Sequence, residues 1–213
     1  MTQTMQTIEK PSSLRMTFDE FLEWAGEETF FAEWVDGEVQ FRMPASLPHQ
    51  SIVVFLCNLL NVFVSLQMRG KILVAPFLMR LPLRPSGREP DLLFVATENF
   101  VRLHRTYLDG AADLAIEIVS PEGIERDYID KKAEYAQNGV REYWCIDPDR
   151  QTVLFCQLTN EGTYREVMLS EGRYDSTTIE GFWLQVEWLW QEPLPLKEAM
   201  TELQLFNLPN SNS

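Results

Sequence analysis

Basic residues are scarce in this chain. Its 18 lysines and arginines stand against 32 aspartates and glutamates, a net charge of -14, and so acidic a molecule repels a phosphate backbone at long range instead of drawing it in. A nucleic-acid function would therefore need a local concentration of positive charge. Cysteine is sparse as well: Cys57, Cys145 and Cys156 each fall in an apolar run, without CxxC or Cys/His spacing. That excludes a legible zinc site and predicts packed, reduced thiols in a cytoplasmic protein. Residues Met1 to Met16 lack the apolar stretch of a signal peptide, so a disordered lead-in is expected and secretion is not. Nor is there an unbroken membrane span. Ser51, Asn58, Asn61, Ser65 and Gln67 interrupt the uncharged segment His49 to Met68, whereas a spanning helix wants about 20 predominantly apolar residues. A core helix is expected there, and no membrane partner. No internal repeat is visible.

What is present suffices for one full core, since 45% of the 213 residues are hydrophobic and 12% aromatic. A single domain is expected over residues 17–192, with a weakly patterned tail over 193–213, of which 207–213 is rich in Asn and Ser. Thr17 with Glu20 three residues on forms a capping box for a short helix to Trp24. Asp36-Gly37, between two β-prone runs, predicts a hairpin. From Ser51 to Leu66 the apolar residues recur with helical spacing, and Gly70 is expected to end that helix. Strand-like runs follow at Lys71–Leu81, Pro90–Ala96 and Asp113–Ser120, separated by a Pro/Gly turn at Pro82–Gly87 and a polar loop around Glu98–Gly110. Ile124–Asn138 predicts a helix closed by Gly139, leading into a strand at Arg141–Ile146. Thr152–Leu158 and Tyr164–Leu169 predict an antiparallel meander.

Three residues in this frame carry the functional question: Asp91 and Glu117, at or within apolar strands, and Lys131 on the following helix. Asp91, just after a proline, has the plain alternative of capping a turn. Glu117 is harder to dismiss, because Leu114, Ile116 and Ile118 mark a buried strand, where an unpaired carboxylate costs several kcal/mol. A metal or a cation belongs beside it. Drawn at 100° per residue, Ile124, Tyr128, Lys131 and Tyr135 form one stripe, with Arg126, Asp127, Asp130, Glu134 and Gln137 on the solvated face. Lys131 could thus simply snorkel over apolar surface and pair with Asp127 at i−4. Lys132 is the competing lysine. Glu33 could equally face water at a rim, and His49 could serve only as a helix-start hydrogen-bonding residue.

The ordered pieces Glu33-Trp-Val-Asp36-Gly37-Glu38, His49, Pro90-Asp91, Leu114-Ala-Ile-Glu117-Ile-Val-Ser120-Pro121 and Asp127-x-x-x-Lys131-x-x-x-Tyr135-x-x-x-Gly139-Val140-x-Glu142-Tyr143-Trp144-x-x-Asp147-Pro148 resemble the PD-(D/E)xK nuclease superfamily. Within it they are most similar to the Uma (group two) family of restriction-endonuclease-like proteins. The resemblance implies an α/β fold with a restriction-endonuclease-like αβββαβ core. A central mixed sheet would be flanked by helices and extended by the N-terminal hairpin and the C-terminal antiparallel strands. It also implies Mg²⁺ or Mn²⁺ held by Asp91 and Glu117, a lysine near the attacking water, and DNA as the partner. The superfamily's usual lysine position is occupied here by Val119, on the same sheet face as Glu117. The resemblance moves the role to Lys131, with Lys132 as the alternative, and makes Glu33 a further acid of the centre and His49 a lining residue. Arg80, Arg84, Arg88, Arg102 and Arg105, around the loops flanking Asp91, are the candidates for offsetting the net charge. The competing function is a non-enzymatic acidic interaction or regulatory module, with homodimerisation and Trp183, Trp188 and Trp190 as a partner surface.

Overall fold

The computed structural model describes residues 14–27, 32–41 and 44–206. Most of the expected lead-in, and the end from 207, lie outside the described residues. Leu14 to Met16 do not: the Val39 amide donates to the Leu14 carbonyl at 2.8 Å and the Met16 amide to the Gly37 carbonyl at 3.0 Å.

Helix α1, Phe18–Glu27, begins at the capping box, with the Thr17 amide donating to Glu20 Oε2 at 2.7 Å and the Glu20 amide to Thr17 Oγ1 at 3.3 Å. Strands β1, Ala32–Val35, and β2, Glu38–Phe41, close on Asp36 and Gly37 with φ of 51° and 87°. Two positive φ values define the turn that matches strand twist. Helix α2, Leu47–Leu66, starts before the apolar periodicity does, because Ser46 caps it and Pro48 sits in its first turn. It ends before Gly70, which instead opens β3, Gly70–Val74. A Cβ at Gly70 would overlap the Val95 carbonyl and the Phe94 ring, so close strand packing, not helix termination, is its role there.

The run 71–81 divides around Pro76, and its second half is β4, Leu78–Leu81. The Pro/Gly turn is shorter than expected, since β5 already begins at Ser86 and runs to Arg88. Next come β6, Leu92–Ala96; a 3₁₀ turn at Thr97–Arg102 and β7, Tyr107–Asp109, inside the polar loop; and β8, Leu114–Ile118. The helical segment after β8 opens with a 3₁₀ turn, Pro121–Gly123, passes through a π-helical turn, Arg126–Lys131, and continues as α3, Lys132–Asn138, closed by Gly139 with φ of 87°. Strands β9, Glu142–Asp147; β10, Thr152–Leu158; β11, Tyr164–Glu166; β12, Arg173–Asp175; and β13, Trp183–Gln185, lead to helix α4, Leu196–Glu202.

The central sheet has the order β11-β10-β9-β8-β6-β3. It is mixed: β8 and β9 run parallel and are joined through the π turn and α3, as a parallel crossover requires, while the other pairs are antiparallel. The succession α2, β3, β6, β8, α3, β9 is the expected αβββαβ core. The N-terminal hairpin, however, does not extend this sheet. β1 pairs with β5, giving a second sheet ordered β2-β1-β5-β4-β7. Alternation along the central strands sends Leu92, Phe94, Leu114, Ile116 and Trp144 under α2, and Leu93, Val95, Ala115, Tyr143 and Cys145 to the other face. Helix α2 is apolar and long enough to cross a membrane, yet its Ile52, Leu56, Leu59, Leu60 and Phe63 are buried in that first layer. Ala199 and Leu203 join the same layer, so the segment after 193 belongs to the core instead of trailing from it. Trp188 is buried and Trp183 and Trp190 are packed against this core, which removes them as an exposed partner surface.

Candidate active site

Extending the β6/β8 register by one residue, from Leu92 opposite Ile116, sets Asp91 opposite Glu117. Period-two alternation then turns both side chains to the face that carries the π turn and α3. Asp91 Oδ2 accepts the Ile118 amide at 2.7 Å and lies 3.2 Å from His49 Nε2. This is more than turn capping. Glu117 is 0% exposed, and its Oε1 accepts the Tyr135 hydroxyl at 2.7 Å.

Lys131 is also 0% exposed, which rules out snorkelling. Its Nζ stands 2.9 Å from Glu117 Oε1, 2.9 Å from Glu33 Oε1 and 3.7 Å from Asp127 Oδ1. Glu33 is no rim residue either: it is fully buried on β1 and accepts the Glu89 amide at 3.1 Å. Arg88, on β5, reaches Glu33 Oε2 at 3.3 Å through Nη1 and Glu134 Oε2 at 2.6 Å through Nη2, and Ser86 Oγ donates to Glu134 as well. The second sheet therefore supplies one acid and one guanidinium to a centre otherwise built on the first. Burial opposes the charge of Arg88, but Glu33 and Glu134 outweigh it and hold the guanidinium above its ordinary pKa. Burial, then the charges of Glu117 and Glu33, push the Tyr135 phenol well above its usual value, so it remains a donor.

The π turn accounts for the main error of the helical wheel. Each i→i+5 turn consumes one residue more than an α turn, and the faces before and after it rotate relative to a straight α-helix. Asp127 and Glu134, expected in solvent, are 1% and 2% exposed. Glu134 faces Arg88, and Asp127 faces Lys131 and Arg126. Lys132 points elsewhere and pairs with Glu166 at 2.6 Å. Among the arginines proposed to offset the net charge, Arg88 alone joins this centre. Arg84 pairs with Asp36, Arg102 holds the Ala111 carbonyl, and Arg80 and Arg105 are exposed. Tyr135 was visible in the sequence on the stripe of Lys131. Asp127 was visible as the i−4 partner of Lys131, at 3.7 Å in the structure, whereas Glu134 carried no such mark, because a π turn has no composition of its own.

Buried acids outnumber buried cations here: Glu33, Asp91, Glu117, Asp127 and Glu134 surround Arg88 and Lys131. Such an excess favours a further cation. Among the described residues no three of His, Cys, Asp and Glu are grouped as a metal cage. Two carboxylates on adjacent strands do suit a magnesium-like ion, which keeps several waters and takes one or two carboxylates.

No curated protein matches the chain. Among solved structures, a protein described as a putative nuclease belonging to DUF820 from Anabaena variabilis superimposes with a TM-score of 0.68 at 19% identity, covering 84% of this chain and 98% of that one. At that identity the likeness speaks for the fold, whose mixed sheet and flanking helices it shares. A family model described as "Putative restriction endonuclease" matches residues 18–187, which takes in α1, both sheets and every residue of the centre, and the chain belongs to that family, Uma2.

Proposed function

We propose that this protein is a nuclease that hydrolyses DNA phosphodiester bonds with the help of Mg²⁺ or Mn²⁺. The observation that carries the reading is the buried ammonium of Lys131, 2.9 Å from Glu117 Oε1, on the sheet face that Glu117 shares with Asp91. Membership of a family described as restriction endonucleases supports it. Asp91 and Glu117 would hold the cation, which when bound neutralises phosphoryl charge and acidifies water. The chain's own groups do the rest. Lys131 offers a fixed positive charge where negative charge builds on the phosphate. Glu33 holds Lys131 beside Glu117, and Tyr135 fixes Glu117 through Oε1. Hydrolysis adds water across the bond: oxygen joins phosphorus, the ester P–O bond breaks, and the leaving alkoxide takes a proton. Free, unpaired cysteines accord with a cytoplasmic setting.

One observation favours the other reading, a non-enzymatic acidic module that forms homodimers. Glu33, Glu117 and Lys131 are all 0% exposed, as a purely stabilising ion network would be. Calorimetry with Mn²⁺ on wild type and Asp91→Ala separates the two. Binding lost in the variant supports the nuclease centre; no binding by either protein supports the module.

A further inference from the structure

His49 occupies the first turn of α2, with Ser46 Oγ accepting its amide at 3.3 Å. Its imidazole leaves the helix for the end of the central sheet, where Nε2 lies 3.2 Å from Asp91 Oδ2. The residue is 6% exposed, and Nδ1 has no hydrogen-bond partner among the described residues. A helix cap does not account for this, because the cap is made by Ser46 and by the backbone of His49. Burying an imidazole with one nitrogen unanswered carries a cost, and what His49 gains in return lies at Asp91. That same Oδ2 accepts the Ile118 amide, at 2.7 Å, from the residue that follows Glu117. A backbone amide and an imidazole nitrogen from two elements therefore converge on a single carboxylate oxygen.

We propose that His49 is a positioning residue for Asp91: its Nε2–H, with the Ile118 amide, locks the carboxylate in the rotamer that presents Asp91 to a divalent cation beside Glu117. The role rests on the nuclease reading above. Hydrogen-bond partners of a ligating carboxylate fix its direction, and their loss typically weakens metal binding or activity by about 10–100-fold. The geometry also distinguishes the replacements. Glutamine can bring its amide nitrogen close to where Nε2 stands, whereas alanine cannot.

The test uses the full chain and begins without metal. His49 and His104 are the two histidines, so ¹⁵N spectra of the ring nitrogens are readily assigned with His49→Gln. The proposal requires a proton on Nε2 of His49 and a change in that signal in Asp91→Asn. A neutral ring protonated on Nδ1, or a signal indifferent to Asp91→Asn, overturns it. Mn²⁺ titration calorimetry then compares wild type, His49→Ala and His49→Gln, with the folded fraction of each measured by circular dichroism. Affinity lowered about 10–100-fold in His49→Ala and recovered in His49→Gln is the expected result. Equal affinity of wild type and His49→Ala overturns the positioning role and leaves the nuclease reading standing. Wild type without Mn²⁺ affinity overturns both.

Discussion

The Lys131 ammonium lies 2.9 Å from the Glu33 carboxylate, and the two residues belong to different layers: a π-helical turn against the central sheet, and a strand of the second sheet. Lys131→Met would leave Glu33 and Glu117 buried without their shared cation. Removing one partner of a buried pair costs about 3–5 kcal/mol, so urea unfolding should show a loss of that size. Adding Glu33→Gln to Lys131→Met should recover part of it, because the second change removes one stranded charge. A Lys131→Met variant as stable as wild type would mean the ammonium offsets nothing.

Arg88 provides an independent reading of the same seam. Its guanidinium spans Glu33 and Glu134, and Arg88→Lys cannot reproduce the two-sided fork. Thermal melts should rank wild type above Arg88→Lys and Arg88→Lys above Arg88→Met. Equal melting temperatures for wild type and Arg88→Lys would show that charge alone, not the fork, holds the sheets together.

Alkaline pH tests the buried phenols. Burial is the first cause that raises both Tyr135 and Tyr143 well above the ordinary tyrosine value, followed by the charge of Glu117 at Tyr135 and by the neighbouring thiol of Cys145 at Tyr143. The unfolded chain ionises first, near the ordinary tyrosine pKa of about 10. The stabilisation is thus complete below that pH and declines as pH rises toward the folded values. Tyrosinate absorbance from Tyr135→Phe and wild type should coincide up to the alkaline unfolding transition and differ by one tyrosinate from there upward. A Tyr135 signal titrating in the native protein near pH 10 would contradict the burial.

The sequence made the αβββαβ order and the line joining Asp91, Glu117 and Lys131 legible, for identifiable reasons. Apolar runs between turn signals marked β6 and β8, Asp36-Gly37 marked the hairpin turn, and Gly139 marked the end of α3 with its positive φ. Pairing partners were not legible, because β1 seeks β5 across a long stretch of chain and nothing local says so. The inward turn of Asp127 and Glu134 was hidden by the π turn, which changes the helical period without changing composition. Gly70 misled for a related reason: a glycine after a helix signals a cap, while here it admits the Phe94 ring and the Val95 carbonyl.

The cysteines offer a solution check on the packing. Cys57 is partly exposed, whereas Cys145 and Cys156 are buried, with burial pushing the Cys156 thiol up to about 11. The thiolate is the reactive form, so a maleimide at pH 8 should label Cys57 first and reach Cys145 and Cys156 only on unfolding. Native labelling of Cys145 by mass spectrometry would show the sheet face beneath α3 to be open.

The most direct measurement of the central claim is nicking of supercoiled DNA in Mg²⁺ or Mn²⁺ by wild type, Glu117→Gln and Lys131→Met, each purified identically and verified as folded. Cleavage by wild type that chelator abolishes, with each variant slower by about a hundredfold or more, is the predicted result. Equal cleavage by all three proteins, or none by wild type with either metal, would contradict it.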